Sequence, residues 1–406
     1  MAQHPFLKSI RPVNLLSFGP NMEEIELRPL NILIGPNGSG KSNFIEILGL
    51  LKELPDKDPW STVLETGGID EWVWKGPSQA ESRPLPSAIA MTFQPLEAGQ
   101  PLNYYELRIA KHIPTYSFNV LSEALGQIDS LTNRREAFFV NRTPDSPNSA
   151  YVRSKVSSYT VSKAAQLDPR LSILAQLVDV FNYPELYYFE QKLSKISLYR
   201  DWVFGVDANP RDTQPVGLES TRLAEDTRNL AHVLKAWRDR GEQAVFDRLV
   251  LLLHQFYEPV KDVDVELLGN SLRIMVKEEG LSSRTPATRL SDGTLRWLML
   301  LIVLLDPAPP PVVCIEEPEL GLHPDMIPTL ADLLRDASTR TQLILTTHSQ
   351  SLVECFSDDP ESVCVCEKVD GATRIQRLEK EKLSSWLDDY SLGQLWAKGE
   401  IGGNRW

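Results

Sequence analysis

Residues 31–44 read NILIGPNGSGKSNF, and Gly35 to Ser42 satisfy the pattern G-x-x-x-x-G-K-[ST] at every fixed position. Within the loop Gly35, Pro36, Asn37, Gly38, Ser39 and Gly40 the glycines let consecutive backbone N–H groups converge on phosphate oxygens. A helix opening at Lys41 adds its positive dipole end. Lys41 would neutralise the β and γ phosphates, and Ser42 would offer its hydroxyl to Mg²⁺. The implied ligand is a magnesium-bound nucleoside triphosphate such as ATP.

Three further stretches carry complementary chemistry. PVVCIEEPELGLHP, residues 311–324, delivers Glu316 and Glu317 at the end of an apolar strand, where ligands sit in open α/β sheets. Adjacent strand residues point to opposite sides, so Glu316 is expected to hold Mg²⁺ through water and Glu317 to orient or deprotonate the attacking water. QLILTTHSQ, residues 342–350, ends a second apolar strand in His348, whose neutral imidazole would position that water or sense the γ-phosphate. RLSDGTLRWLML, residues 289–300, starts a helix capped by Ser291, with Asp292 and Gly293 in its first turn, and so offers a second anion site. One hydrolytic carboxylate pair with two phosphate-binding helix starts implies that two copies meet head to tail, each covering the nucleotide of the other.

The surrounding pattern supplies the scaffold. LNILIG precedes the glycine loop as a buried strand, and Phe44, Ile45, Leu48, Leu51 and Leu54 follow at helical spacing. Residues 5–35 suggest two antiparallel strands leading into that strand; 59–125 read as β-rich, and 127–163 as exposed loop and hairpin. GGIDEWVWKG, 67–76, could sit over the adenine or close a hairpin with Trp72 and Trp74 on one face. Residues 164–257 turn helical, and the last third alternates strand and helix, implying a mostly parallel sheet shared by both ends of the chain. The expected organisation is an ATPase head split between 1–160 and 259–406, with 161–258 as a helical insertion.

Composition sets outer bounds. The 406 residues are 42% hydrophobic, and the formal charge of −13 argues against a surface built to coat a polyanion. The most apolar run, LRWLMLLIVLL, falls short of the ~18–20 residues a membrane-spanning helix needs, and the first residues lack a secretory signal; a cytoplasmic protein without membrane partners is expected. Four cysteines, Cys314, Cys355, Cys364 and Cys366, make no disulfide framework and read as core or surface thiols.

Taken together, GPNGSGKSN, LSDGT, CIEEPELGLHP and TTHSQ resemble the Walker A, signature, Walker B with D-loop, and H-switch of ABC-type ATPase heads in the structural-maintenance-of-chromosomes and RecF group. The likeness is specifically to the standalone ATPases related to the OLD family. It extends the nucleotide contacts to Asn43 and implies an α/β fold: an ABC/RecF-like P-loop head of mixed sheets flanked by helices, the helical insertion replacing a long coiled coil. Asp292 stands where many transporters have glycine, and Glu316 where many Walker B motifs have aspartate. No acidic TOPRIM-type motif follows TTHSQ. The resemblance implies an ATP-gated homodimer that serves a separately encoded effector, frequently nuclease or TOPRIM-like, in bacterial anti-phage defence.

Other readings stay open at this level. A RecF-like DNA-repair clamp could use the basic stretch Arg134, Arg135, Arg142, Arg153 and Lys155, interleaved with Phe138, Phe139 and Tyr151, to grip duplex DNA. A transporter subunit and a scaffold that barely hydrolyses are the remaining readings. Gln94 is a candidate Q-loop residue. Trp386, Trp396 and Trp406 are expected to pack the tail onto its own domain.

Overall fold

The computed structural model describes residues 5–403 except 77–85, 96–101, 113–116, 129–134, 146–147, 154–160, 164–166, 201, 204 and 206–207. A central six-stranded sheet runs in the order Ser197–Tyr199, Val312–Glu316, Gln342–Thr346, Leu30–Ile34, Val363–Val369, Ala372–Arg377. The first five strands pair in parallel and only the last is antiparallel, so both ends of the chain share one sheet, as expected.

Strand alternation makes this sheet the wall between two cores. Leu30, Ile32, Ile34, Val313, Ile315, Leu343 and Leu345 face one core, while Leu33, Val312, Cys314 and Ile344 face the other. Because both faces are covered, these strands read as continuous apolar runs rather than alternating ones. The first core is filled by the helix Asp292–Leu304, whose residues from Thr294 to Leu304 are all buried, together with the helices Leu230–Asp239 and Gln243–Phe256. Trp297 is fully buried there and donates its indole N–H to Leu252 O at 3.0 Å; removing such a ring costs about 3–5 kcal/mol.

The second core lies between the helix Lys41–Glu53 and an antiparallel sheet of eight strands among the described residues. Gln342 locks this sheet to the start of its strand: Leu7 N–H donates to its Oε1 at 2.9 Å, and its Nε2 donates to Leu7 O at 2.7 Å.

One expectation changes. Residues 67–76 form no hairpin; Ile69–Trp72 is a short helix, and Trp72 is buried with its indole N–H donating to Thr66 Oγ1 at 2.8 Å. Within 127–163 the hairpin reading holds: strands Arg135–Arg142, Tyr151–Arg153 and Val161–Lys163 pair antiparallel in turn and extend the sheet. The stretch 161–258 holds the expected helices, yet it also threads back into the head: Ser197–Tyr199 joins the central sheet and Gln214–Pro215 a third, smaller sheet. Cys314, Cys364 and Cys366 are buried free thiols, in keeping with a core role.

Candidate functional site

The glycine loop turns from the strand Leu30–Ile34 into the helix Lys41–Glu53 under tight constraint. Gly35 has φ 147°, and a Cβ there would lie 2.2 Å from Cys366 O. Gly40 has φ 102°, and its Cβ would meet Thr373 Oγ1 at 2.1 Å and Ser17 Oγ at 2.6 Å. Only glycine suits either place. Thr373 Oγ1 donates to Ser39 O at 2.8 Å, so the strand Ala372–Arg377 braces the loop from behind. Asn37 and Gly38 form an exposed crest between buried Gly35 and buried Ser39 and Gly40.

Lys41 is buried and donates its ammonium to Gly35 O at 2.7 Å and Pro36 O at 3.1 Å. Burial lowers its pKa, with Cys366, Glu317 and Glu316 opposing, so the site favours an anion that would share this cation. Ser39 Oγ is buried with no partner among the described residues. Ser42 is exposed on the first turn of the helix. Orphaned Ser39, the cation of Lys41 and the hard oxygens of Ser42 and Glu316 fit a magnesium-bound triphosphate.

The two carboxylates diverge, though not by simple strand alternation. Glu316 is the last residue of its strand, and its Oε1 accepts from Arg200 Nε at 3.2 Å. Glu317 lies beyond the strand at φ 46°, a left-handed conformation that costs about 1–2 kcal/mol outside glycine. Two bonds hold it: its N–H donates to Thr346 O at 3.0 Å, and its carbonyl accepts from Arg296 Nη2 at 2.6 Å. That turn aims Glu317 Oε1 to 3.9 Å from His348 Nε2. The His348 pKa is lowered by burial and by the Lys41 cation, against the pull of Glu317. Lys41, Glu317 and His348 thus converge at the carboxyl ends of adjacent parallel strands.

Glu319 ties the two strand ends together. It accepts from Thr347 Oγ1 at 2.5 Å and from the His348 N–H at 3.2 Å, and burial raises its pKa. Arg296, four residues into the signature helix, connects that helix to Glu317 and lies 5.5 Å over the Trp202 ring.

At the helix start, Ser291 is exposed and its Oγ accepts from Thr294 N at 3.1 Å. The carboxylate of Asp292 accepts from Arg211 Nη2 at 2.5 Å and Gly205 N at 3.1 Å. Arg211 also donates to Leu290 O at 2.7 Å. Asp292 therefore shapes its own loop, whereas Ser291 is exposed beside it. A Cβ on Gly293 would sit 3.1 Å from Gly321 O, which marks how closely this turn approaches the segment after the carboxylates.

Several candidates fall elsewhere. Gln94 follows Ser87–Phe93, its N–H donating to Phe6 O at 2.9 Å, beside the Leu7–Gln342 lock. Gln342 begins the strand that His348 follows, so Gln94 lies toward the opposite end of the central sheet from the glycine loop. Arg142 is fully buried and donates to Leu171 O at 2.8 Å and Asp168 O at 3.1 Å, which removes it from any exposed basic groove. Arg134 and Lys155 lie outside the described residues, as do the side chains of Arg135, Phe138, Phe139, Tyr151 and Arg153. Trp396 is buried and donates to Gly403 O at 3.2 Å, Trp386 is 44% exposed, and Trp406 is outside the described residues. Conversely, Arg200 and Arg211 lie outside every motif, and Arg296 and Glu319 lie within RLSDGTLRWLML and PVVCIEEPELGLHP at positions that carried no expected role.

A family model described as "AAA domain, putative AbiEii toxin, Type IV TA system" (AAA_21) matches residues 30–94 and 141–354, more than two-thirds of the chain. Over 109 residues, 27% of its length, the chain is 33% identical to ABC transporter A family member 3 of Arabidopsis thaliana, and it spans only 12% of that relative. Among solved structures it is similar to an SMC head bound to the C-winged helix domain of ScpA, with a TM-score of 0.58, 16% identity, and coverage of 94% of this chain and 100% of that one. A Smc head domain with an extended coiled coil, bound to the C-terminal domain of ScpA and derived from Pyrococcus furiosus, gives a TM-score of 0.56 at 15% identity, covering 95% and 99%. At these identities the likeness is one of fold, that of an ABC-type ATPase head.

Proposed function

The chain belongs to the AAA_21 family of AAA domains, and from that premise we propose that it binds and slowly hydrolyses ATP as a regulatory switch. Two copies meet head to tail, each nucleotide lying between the glycine loop of one and the Ser291–Gly293 turn of the other. The convergence of Lys41, Glu317 and His348 carries this reading.

Lys41 exchanges its loop carbonyls for phosphate oxygens, while Gly38 and Gly40 direct backbone N–H groups at the same oxygens. Mg²⁺, held by Ser42 and Glu316, would offset charge on the phosphates. Glu317, fixed by Arg296 and Thr346, orients the attacking water and draws its proton. His348 stays neutral and holds the far side of that water; Glu319 keeps its backbone in register. Across the interface Ser291 and the helix N–H groups complete the enclosure, with Asp292 and Arg211 shaping the turn that carries them.

The switch would act in the cytoplasm on a separately encoded effector, nuclease or TOPRIM-like, in bacterial anti-phage defence. Support for that layer is the resemblance of the four motifs to standalone OLD-related ATPases. Among the described residues no helix is long and apolar enough to cross a membrane. The alternative of a DNA clamp loses Arg142 from its basic stretch.

The test is Glu317→Gln. With ATP and Mg²⁺ the variant should bind nucleotide, fail to turn over, and elute as a long-lived dimer in size-exclusion chromatography with light scattering. Hydrolysis at the parental rate would refute the role given to Glu317; a strictly monomeric variant saturated with ATP would refute the sandwich.

A further inference from the structure

The short strand Ser197–Tyr199 runs parallel to the carboxylate strand, with Tyr199 paired to Ile315. Arg200, the next residue, therefore emerges beside Glu316 at the carboxyl edge of the sheet. Its Nε donates to Glu316 Oε1 at 3.2 Å and its Nη2 to Glu46 Oε1 at 3.0 Å. Glu46 stands four residues after Ser42 in the same helix, on the same face one turn further along. The guanidinium thus bridges Glu316 and the glutamate one helical turn beyond Ser42. All three side chains are only partly exposed, at 27%, 21% and 19% for Arg200, Glu46 and Glu316.

A carboxylate bonded to a guanidinium is oriented and largely neutralised, and a divalent cation approaching it must displace or outweigh that partner. We propose that Arg200 is a positioning residue that guards the metal site. In the nucleotide-free chain it holds the Glu316 carboxylate in place and competes with Mg²⁺ for it, so that the metal is taken up efficiently only together with the anionic triphosphate. Glu46 gives the guanidinium a second anchor, which retains Arg200 at the rim when Glu316 turns to the metal. The inference rests on the reading of Glu316 as the metal-holding carboxylate.

The test measures binding rather than turnover. A fluorescent ATP analogue at fixed concentration is titrated with MgCl₂ against the parent, Arg200→Gln and Arg200→Lys, and its anisotropy is followed. Losing the competing guanidinium should lower the Mg²⁺ concentration at half-saturation about ten-fold in Arg200→Gln, the scale of one charge-assisted hydrogen bond. Arg200→Lys keeps the charge but cannot bridge both carboxylates, so it should shift in the same direction by less. It also decides the matter if circular dichroism finds Arg200→Gln unfolded. An unchanged or higher Mg²⁺ requirement in a folded variant overturns the guarding role. If the parent itself binds the analogue equally with Mg²⁺ and with EDTA, the metal role of Glu316 fails, and the inference with it.

Discussion

Replacing Arg296 with methionine should slow ATP hydrolysis while leaving ATP affinity intact. The guanidinium donates to Glu317 O at 2.6 Å and so holds that residue in its left-handed conformation, φ 46°. A hydrogen bond from a charged group contributes about 1.5–3 kcal/mol, enough to offset the roughly 1–2 kcal/mol that this conformation costs. Without the bond, Glu317 relaxes toward ordinary backbone angles and its carboxylate leaves the neighbourhood of His348. If the productive arrangement is disfavoured by about 2 kcal/mol, the rate constant falls roughly thirty-fold. Methionine keeps the length and apolar stem of the side chain, and removing a cation whose pKa burial already lowers avoids a desolvation cost. That saving offsets part of the lost bond, so stability should fall by about 1–2 kcal/mol. Single-turnover phosphate release with protein in excess measures the chemical step, fluorescent-nucleotide anisotropy measures affinity, and thermal denaturation checks the fold. A rate within about three-fold of the parent, on a background where Glu317→Gln is inactive, would refute the link between signature helix and catalytic glutamate; so would a parallel loss of affinity.

Two other outcomes follow from the same geometry. ATP at a hundred times its Kd should stabilise the parent by about 2.7 kcal/mol, whereas Lys41→Ala, lacking the cation that the loop buries, should show no ATP-dependent rise in Tm by scanning fluorimetry; an equal rise in both would remove Lys41 from the site. His348 has its pKa held below the usual 6.5 by burial and by Lys41, so the imidazole gains its proton at lower pH than a free histidine does. Hydrolysis should fall on acidification with a midpoint below that of a free histidine, and stability should decline over the same acid range because the unfolded chain binds this proton more readily. His348→Gln should remove that contribution to the acid loss of stability; a rate that already falls between pH 7.5 and 6.5 in step with a single histidine would contradict the depressed pKa.

Much of the site was legible because its parts are local. The glycine loop, Lys41 and Ser42 are contiguous, flanked by a strand and a helix that their own spacing announces. Glu316, Glu317 and His348 each close an apolar run, and in a parallel sheet such ends gather on one edge. Where the reading failed, the deciding contact was remote. Arg142 reads as one of several loop cations, yet it is buried against Asp168 and Leu171. Trp72 reads as able to close a hairpin, yet it fills the second core from a helix.

Residue order alone determined the glycine loop and the apolar strands, because backbone conformation and side-chain chemistry there depend on neighbours a few positions away. Only the folded chain decided that Arg200 would reach Glu316 across 116 residues and that Arg296 would clasp Glu317 across 21. Those partners are selected by strand register and helix packing, and a lone arginine carries no local mark of the carboxylate or carbonyl it will meet.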